Sequence, residues 1–114
     1  MQRTLDNLVQ LLEQRFRPEQ AIGVDMRLRL STGEGDIDVR IEAGRLSVGR
    51  ERSAAADVTF MFENLGTAWQ ILLGEASAID AFMHGRFRSD GYLMMAFKLM
   101  EIFGSSSLPP TPND

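Results

Sequence analysis

An alternation of apolar and polar residues through the middle of the chain constrains the fold more than any other sequence feature. Because the side chains of a β-strand point alternately to opposite faces, a period of two predicts strands with one buried face. Four segments carry this period, separated by the turn sequences STGEGD and Ala43-Gly44 and by a small-residue connection over 53–56. Their inward residues are Ile22, Val24, Met26, Leu28 and Leu30; Ile37, Val39 and Ile41; Leu46 and Val48; and Val58, Phe60 and Phe62. The pattern predicts a four-stranded antiparallel meander.

Helical spacing of apolar residues flanks this meander on both sides, and a short edge strand with Phe87 inward precedes the last helix. The segregation of helices from strands predicts an α+β domain in which the helices cover one face of the sheet. We predict that the first helix begins at a Thr4 cap and ends before Pro18, and that the second begins at an Asn64 cap and ends at Gly74. The third helix is predicted from Ile79, Phe82 and Met83 and ends at His84-Gly85. The fourth is predicted to follow Gly91.

The length of 114 residues indicates one domain. We assign it to residues 1–104, with an N-terminal helix in 1–18, and we expect the Ser- and Pro-rich tail 105–114 to be disordered. No segment approaches 18 consecutive apolar residues, and the N-terminus lacks the apolar stretch of a secretory signal. Together with the absence of cysteine, these features predict a cytoplasmic protein.

Residues that carry chemistry are sparse. The twelve basic residues alternate with carboxylates and the net charge is −4, which argues against a nucleic-acid partner. Because the chain has one histidine and no cysteine, we expect that it has no metal site, and we expect no cofactor. His84 could activate Ser89, with Asp80 or Asp90 orienting the ring, but a helix-end histidine that bonds backbone carbonyls beside Gly85 is the simpler interpretation. We therefore predict that the chain is not an enzyme.

The stretch GYLMMAFKLMEIF, residues 91–103, is apolar on nearly every side. As a helix of roughly 20 Å it is too short to cross a membrane core of about 30 Å. If Tyr92, Met95, Leu99 and Ile102 or Phe103 form the stripe that faces the sheet, a second stripe remains, which comprises Leu93, Phe97 and Met100. Leaving that stripe in water would forfeit about 25 cal/mol per Å² of apolar area. We expect a ligand, a second subunit or a membrane surface to cover it.

The segment IDAFMHGRFRSDGYLMMAFKLMEIF resembles the carboxyl-terminal signature of the sterol carrier protein type 2 (SCP-2) domain, and DVTFMFENLGTAWQILLGEASAID is similar to the family's preceding strand, helix and turn. The resemblance covers about residues 20–103 and implies a five-stranded, mostly antiparallel sheet covered by helices that enclose a hydrophobic tunnel. The matching elements are Ala81-Phe82, Gly85-Arg86, the short strand Phe87-Arg88, Gly91, and Ala96-Phe97-Lys98-Leu99.

The resemblance also implies non-catalytic binding, and sometimes transfer, of a fatty acid, fatty acyl-CoA, sterol-like or isoprenoid lipid. The alternative is an interaction or dimerisation module, or an accessory factor of a lipid-modifying or quinone-synthesis assembly; a homodimer and transient membrane contact stay open. Basic residues near the tunnel could meet a lipid head group or could be solvated surface charge, and these are Arg86, Arg88 and Lys98. The expected lining is Phe60, Phe62, Leu65, Trp69, Leu72, Leu73, Phe82, Met94, Phe97 and Met100.

Three features depart from the family pattern. The last helix carries Leu93-Met94 where many members have glycine, and the edge strand carries Ser89 and Asp90 where apolar and basic residues are common. The sequence ends in TPND rather than in the Ser-Lys-Leu type of peroxisomal address. We therefore expect a stand-alone bacterial-type member rather than a peroxisomal sterol carrier.

Overall fold

A computed structural model describes residues 2–50 and 56–103 of the chain. The predicted connection over 53–56 and the predicted disordered tail 105–114 lie outside the described residues, apart from Ala56. A short 3₁₀ helix spans Pro18–Gln20, between the first helix and the first strand. The helices are α1 (Leu5–Arg15), α2 (Leu65–Leu72), α3 (Ala78–Met83) and α4 (Met95–Ile102), and the strands are β1 (Met26–Ser31), β2 (Asp36–Glu42), β3 (Arg45–Gly49), β4 (Val58–Phe62) and β5 (Phe87–Asp90).

The five strands form one open sheet in the order β3-β2-β1-β4-β5. The pairs β1–β2, β2–β3 and β4–β5 are antiparallel, whereas β4 lies parallel to β1. The prediction of a mostly antiparallel five-stranded α+β sheet is therefore confirmed, but the prediction of a four-stranded meander is wrong. Alternation specifies which face a strand buries and does not specify which strand it joins.

The inward residues predicted from the alternation lie on the helix-covered face, with one exception at the start of β1. Ile22 is 81% exposed, because the 3₁₀ helix and a turn at Gly23, whose φ is +74°, precede the strand. The outer face is polar, and there the Arg29 Nε donates to Asp38 Oδ1 at 2.9 Å. The large residues buried from β1, β2 and β4 are Met26, Leu28, Leu30, Ile37, Val39, Ile41, Val58, Phe60 and Phe62.

Side-chain caps begin three of the helices. Thr4 Oγ1 accepts a hydrogen bond from the Asn7 backbone N–H at 3.1 Å, and Asn64 Oδ1 accepts one from the Thr67 N–H at 2.8 Å, as predicted. Ser77 Oγ caps α3 in the same way, at 3.3 Å from the Asp80 nitrogen. These caps fix the starts of α1, α2 and α3.

The last helix begins later than predicted. A continuous helix after Gly91 was expected, but α4 starts at Met95. Gly91 has φ = +128°, and the next residues form a tight turn in which the Met95 N–H donates to Tyr92 O at 3.1 Å. A residue with a positive φ of this size cannot be part of a right-handed helix, and three residues, 92–94, separate Gly91 from the start of α4.

The start of the chain is attached to α2 and the turn after it. The Arg3 Nη2 lies 2.6 Å from Glu75 Oε2, and its guanidinium sits 5.8 Å from the centre of the Trp69 ring. The Trp69 Nε1–H donates to Thr4 O at 3.2 Å. These contacts hold the beginning of α1 against α2.

The attachment predicts a pH effect below pH 5. The hydrogen bond from Arg3 lowers the pKa of Glu75, so the ion pair stabilises the folded chain above the unfolded glutamate pKa of about 4.3, and this stabilisation is lost as the pH falls through the lowered pKa. Trp69, the only tryptophan, reports on the contact. We expect its fluorescence to change with a midpoint below about pH 4.3. The change should be missing in Glu75→Gln; the same midpoint in that variant would contradict the assignment.

Candidate functional site

Four phenylalanine rings form a connected cluster at the β4–β5 end of the sheet. The Phe60 and Phe87 rings stack with centroids 5.4 Å apart, and Phe62 meets Phe87 edge-on at 5.2 Å. The Phe82 ring, from α3, lies 6.3 Å from Phe87. Since Phe62 is directly opposite Phe87 in the β4–β5 register, strand pairing assembles the cluster and α3 closes over it.

The outermost ring of this cluster reaches the surface. Phe82 is 44% exposed, and other large apolar side chains on α3 and on the β5–α4 connection are exposed with it. We call this set the apolar rim: Ile79, Phe82, Met83, Tyr92 and Met94. These five exposed large apolar residues fall within sixteen positions of the sequence, which makes this part of the chain the candidate binding surface.

The short helix α3 explains why its own three rim residues are exposed. The predicted helical residues Ile79, Phe82 and Met83 do lie in this helix, but its buried residues are Ala78 and Ala81. The Phe82 side chain therefore reaches the surface instead of being buried with the alanines. Alanines let a helix approach β5 closely, and the larger side chains are then left on its other sides.

The second stripe of α4 is covered by the domain itself to a greater extent than predicted. Met100 is buried, and Leu93 and Phe97 are half-buried. The end of α4 also contacts the region after α1, where the Phe16 ring lies 6.0 Å from Phe103 and the Arg17 N–H donates to Ile102 O at 2.8 Å. The prediction that Met100 needs an outside cover is wrong, because its side chain is already buried within the single chain.

The predicted lining residues fall into three groups. Leu73 and Phe97 are half-buried, and Phe82 and Met94 are exposed in the apolar rim. Phe87, which joins the rim to the buried aromatic rings, was not among the predicted lining residues, although its inward position was predicted. The remaining members are buried in the core: Phe60, Phe62, Leu65, Trp69, Leu72 and Met100.

The polar groups near the cluster have structural partners. Arg86 Nε lies 3.2 Å from Glu63 Oε2, and its Nη2 donates to Thr67 Oγ1 at 3.2 Å and to Gln70 Oε1 at 3.3 Å, which ties α2 to the start of β5. Lys98 Nζ lies 3.5 Å from Glu101 Oε2.

His84 ends α3, with Nδ1 2.7 Å from Asp80 O. This contact confirms the helix-end role predicted for the histidine. Within residues 2–50 and 56–103, no group of three or more His, Asp or Glu side chains is placed to hold a metal ion.

Grooves beside β1 and β2 are lined by charged and apolar residues together. One of about 230 Å³ lies beside β1 and β2. Two of its carboxylates accept hydrogen bonds from backbone N–H groups. Asp57 Oδ2 accepts from the Arg27 N–H at 3.0 Å, and Asp25 Oδ1 accepts from the Ala43 N–H at 3.4 Å. These contacts explain the carboxylates structurally. Of the helices in the described part of the chain, none has the length and apolar character to cross a membrane.

Comparison with known families and structures agrees with this architecture. The model of the SCP-2 sterol transfer family matches residues 10–104. Among proteins with curated functions, none matches the sequence. The stereoselective inverting sec-alkylsulfatase Pisa1 from Pseudomonas sp. superposes with a TM-score of 0.74 at 28% identity over 95% of this chain, which spans 17% of the sulfatase.

Two smaller proteins share the fold over most of both chains. UbiJ-SCP2, a ubiquinone synthesis protein, has a TM-score of 0.69 at 12% identity, covering 87% of this chain and 91% of its own. Sterol carrier protein 2 from Yarrowia lipolytica, in its apo form, has a TM-score of 0.64 at 16% identity, with 88% and 89% covered. At these identities the likeness concerns the fold alone.

Proposed function

The chain belongs to the SCP-2 sterol transfer family, and from this premise we propose that it binds a lipid chain without reacting with it. Candidate ligands are a fatty acid, a fatty acyl-CoA, a sterol-like molecule or an isoprenoid. The chain of the ligand would pass the apolar rim and lie between the inner face of the sheet and the helices. The family match supports this function over the alternative of an interaction module.

One observation carries the proposal. Phe82 is both a surface residue of the apolar rim and a ring neighbour of Phe87, which stacks on the fully buried Phe60. A continuous path of aromatic rings therefore leads from solvent to the centre of the inner face. An alkyl chain that follows this path meets apolar surface throughout, so burial favours each of its segments.

Hydrophobic burial would provide the affinity. Each buried methylene contributes about 0.8 kcal/mol, which corresponds to roughly a fourfold change in the dissociation constant. Phe97 and Met100 can change rotamer to make room for the ligand. Methionine in particular adapts to ligands of different shapes. The affinity should therefore rise with the length of the lipid chain for as long as side chains between sheet and helices can move aside for it.

Native mass spectrometry tests the function directly. We expect protein purified without detergent to carry lipid, and we expect delipidated protein to take up a fatty acid or a fatty alcohol in a one-to-one complex. A protein that carries no lipid after purification and that binds none of the offered ligands would contradict the proposal.

Phe82→Ala should separate binding from stability. Because the ring is 44% exposed, its removal should change the free energy of unfolding by at most about 1 kcal/mol. We expect ligand affinity to fall about tenfold, since about 60 Å² of ligand-facing apolar surface is lost. Fluorescence titration with a chain-bearing probe measures the affinity, and urea unfolding measures the stability.

Met61→Ala is the matched control for this variant. Met61 is 38% exposed but points to the outer face of the sheet, opposite to Phe60 and Phe62. It should leave affinity unchanged. Equal losses of affinity in the two variants would show that the rim is not where the ligand enters.

A further inference from the structure

We propose that Ser89 selects ligands that carry a neutral oxygen group, a hydroxyl or a carbonyl, at the end of the apolar chain. This inference rests on the proposed function, because it concerns the head group of the same ligand. It assigns a specificity-determining role to a residue at which the chain departs from the family resemblance.

The strand register places the Ser89 side chain on the helix-covered face. Ser89 is directly opposite Phe60, and Phe87 two residues earlier is opposite Phe62, so all of these side chains point to the same side. Ser89 is half-buried. It follows the part of β5 that α3 covers and precedes Gly91, where the chain turns toward α4. The hydroxyl therefore lies on the inner face of β5, between Phe87 and the turn that leads to α4.

The hydroxyl is weakly bonded in this position. Ser89 Oγ lies 3.5 Å from Gly91 O, which is longer than the ordinary range for a hydroxyl donor. The contact is exposed, so water reaches the hydroxyl, and the hydroxyl can exchange that water for a ligand oxygen as its partner. An oxygen atom on a ligand that lies along Phe87 would supply that partner, and its apolar chain would remain among the rings.

The charges around this position favour a neutral head group. Residues 78–103 contain three basic side chains, Arg86, Arg88 and Lys98, and three acidic ones, Asp80, Asp90 and Glu101. Arg86 is paired with Glu63 and Lys98 with Glu101, and Arg88 is in register with Met61, on the outer face. A carboxylate at Ser89 would thus lose hydration without gaining a cation, whereas an alcohol or a ketone would lose less.

Three ligands of equal chain length test the inference on the full chain: dodecan-1-ol, dodecanoate and dodecane, each used to displace N-phenyl-1-naphthylamine. We expect dodecan-1-ol to bind most tightly. Ser89→Val, which removes the hydroxyl, should weaken dodecan-1-ol binding about three- to tenfold and leave dodecane unchanged. Ser89→Thr, which has nearly the same shape as the valine variant, should retain the preference. Ser47→Ala, which removes an exposed hydroxyl from β3, should change nothing.

The outcomes distinguish this inference from the proposed function. If the three ligands bind and Ser89→Val weakens all of them equally, or none of them, the head-group role is overturned while lipid binding stands. Tighter binding of dodecanoate than of dodecan-1-ol overturns the preference for a neutral group. If none of the three displaces the probe, or if the probe itself does not bind, the proposed lipid-binding function is contradicted.

Discussion

Phe60→Ala is expected to lower the free energy of unfolding by about 3–5 kcal/mol, one of the two largest effects that we predict. The Phe60 side chain is fully buried, and its ring stacks on Phe87 at a centroid distance of 5.4 Å. Removal of the ring leaves a cavity on the inner face of β4, next to Leu30 of the parallel strand β1. Urea unfolding, followed by circular dichroism, measures the change.

The size of the loss also tests how the interior is filled. Phe60→Leu keeps most of the apolar volume and should cost less than about 1.5 kcal/mol, so the pair isolates the ring. A loss of less than about 1 kcal/mol in Phe60→Ala would contradict close packing around Phe60, because a ring that lines an empty space leaves little additional cavity when it is removed.

The sequence predicts the elements of this fold better than their arrangement. Caps are local, so Thr4 and Asn64 can be identified by residue type, and the structure confirms both. The buried face of each strand is also local, since it follows from alternation. The parallel pairing of β4 with β1 depends on the path of the chain after β3, and no periodicity reports that path. The edge strand β5 was predicted from the inward position of Phe87, and the family resemblance implied that all five strands form one sheet.

The candidate site was predicted in composition rather than in geometry. Apolar residues in the last third of the chain were expected to contact a ligand, and two of them, Phe82 and Met94, lie in the apolar rim. The exposure of Phe82 was not predictable from helical spacing, because it depends on how closely Ala78 and Ala81 let α3 approach β5. The burial of Met100 was not predictable either, because helical spacing does not report how the rest of the chain packs around α4.

Gly91→Ala is expected to destabilise the fold by about 3–5 kcal/mol, although it adds a single methyl group. The backbone at Gly91 has φ = +128°, far outside the regions open to alanine, and this strain accounts for about 1–3 kcal/mol. The new Cβ would also lie 3.2 Å from Asp57 O and 3.3 Å from Val58 Cα. Backbone atoms at the start of β4 cannot move aside as a flexible side chain can, so the clash adds to the strain.

Gly85→Ala provides the matched control, because Gly85 also has a positive φ, of +75°, but nothing lies within 4 Å of the place that an added methyl group would take. It should lose only about 1–2 kcal/mol, the cost of a left-handed conformation. If Gly91→Ala remains folded, the turn that carries Tyr92 and Met94 must shift away from β4, and ligand affinity should fall with it. Thermal unfolding and probe titration on both variants measure the two effects. Equal losses of stability in the two glycine variants would mean that the close approach of Gly91 to β4 does not hold α4 in place.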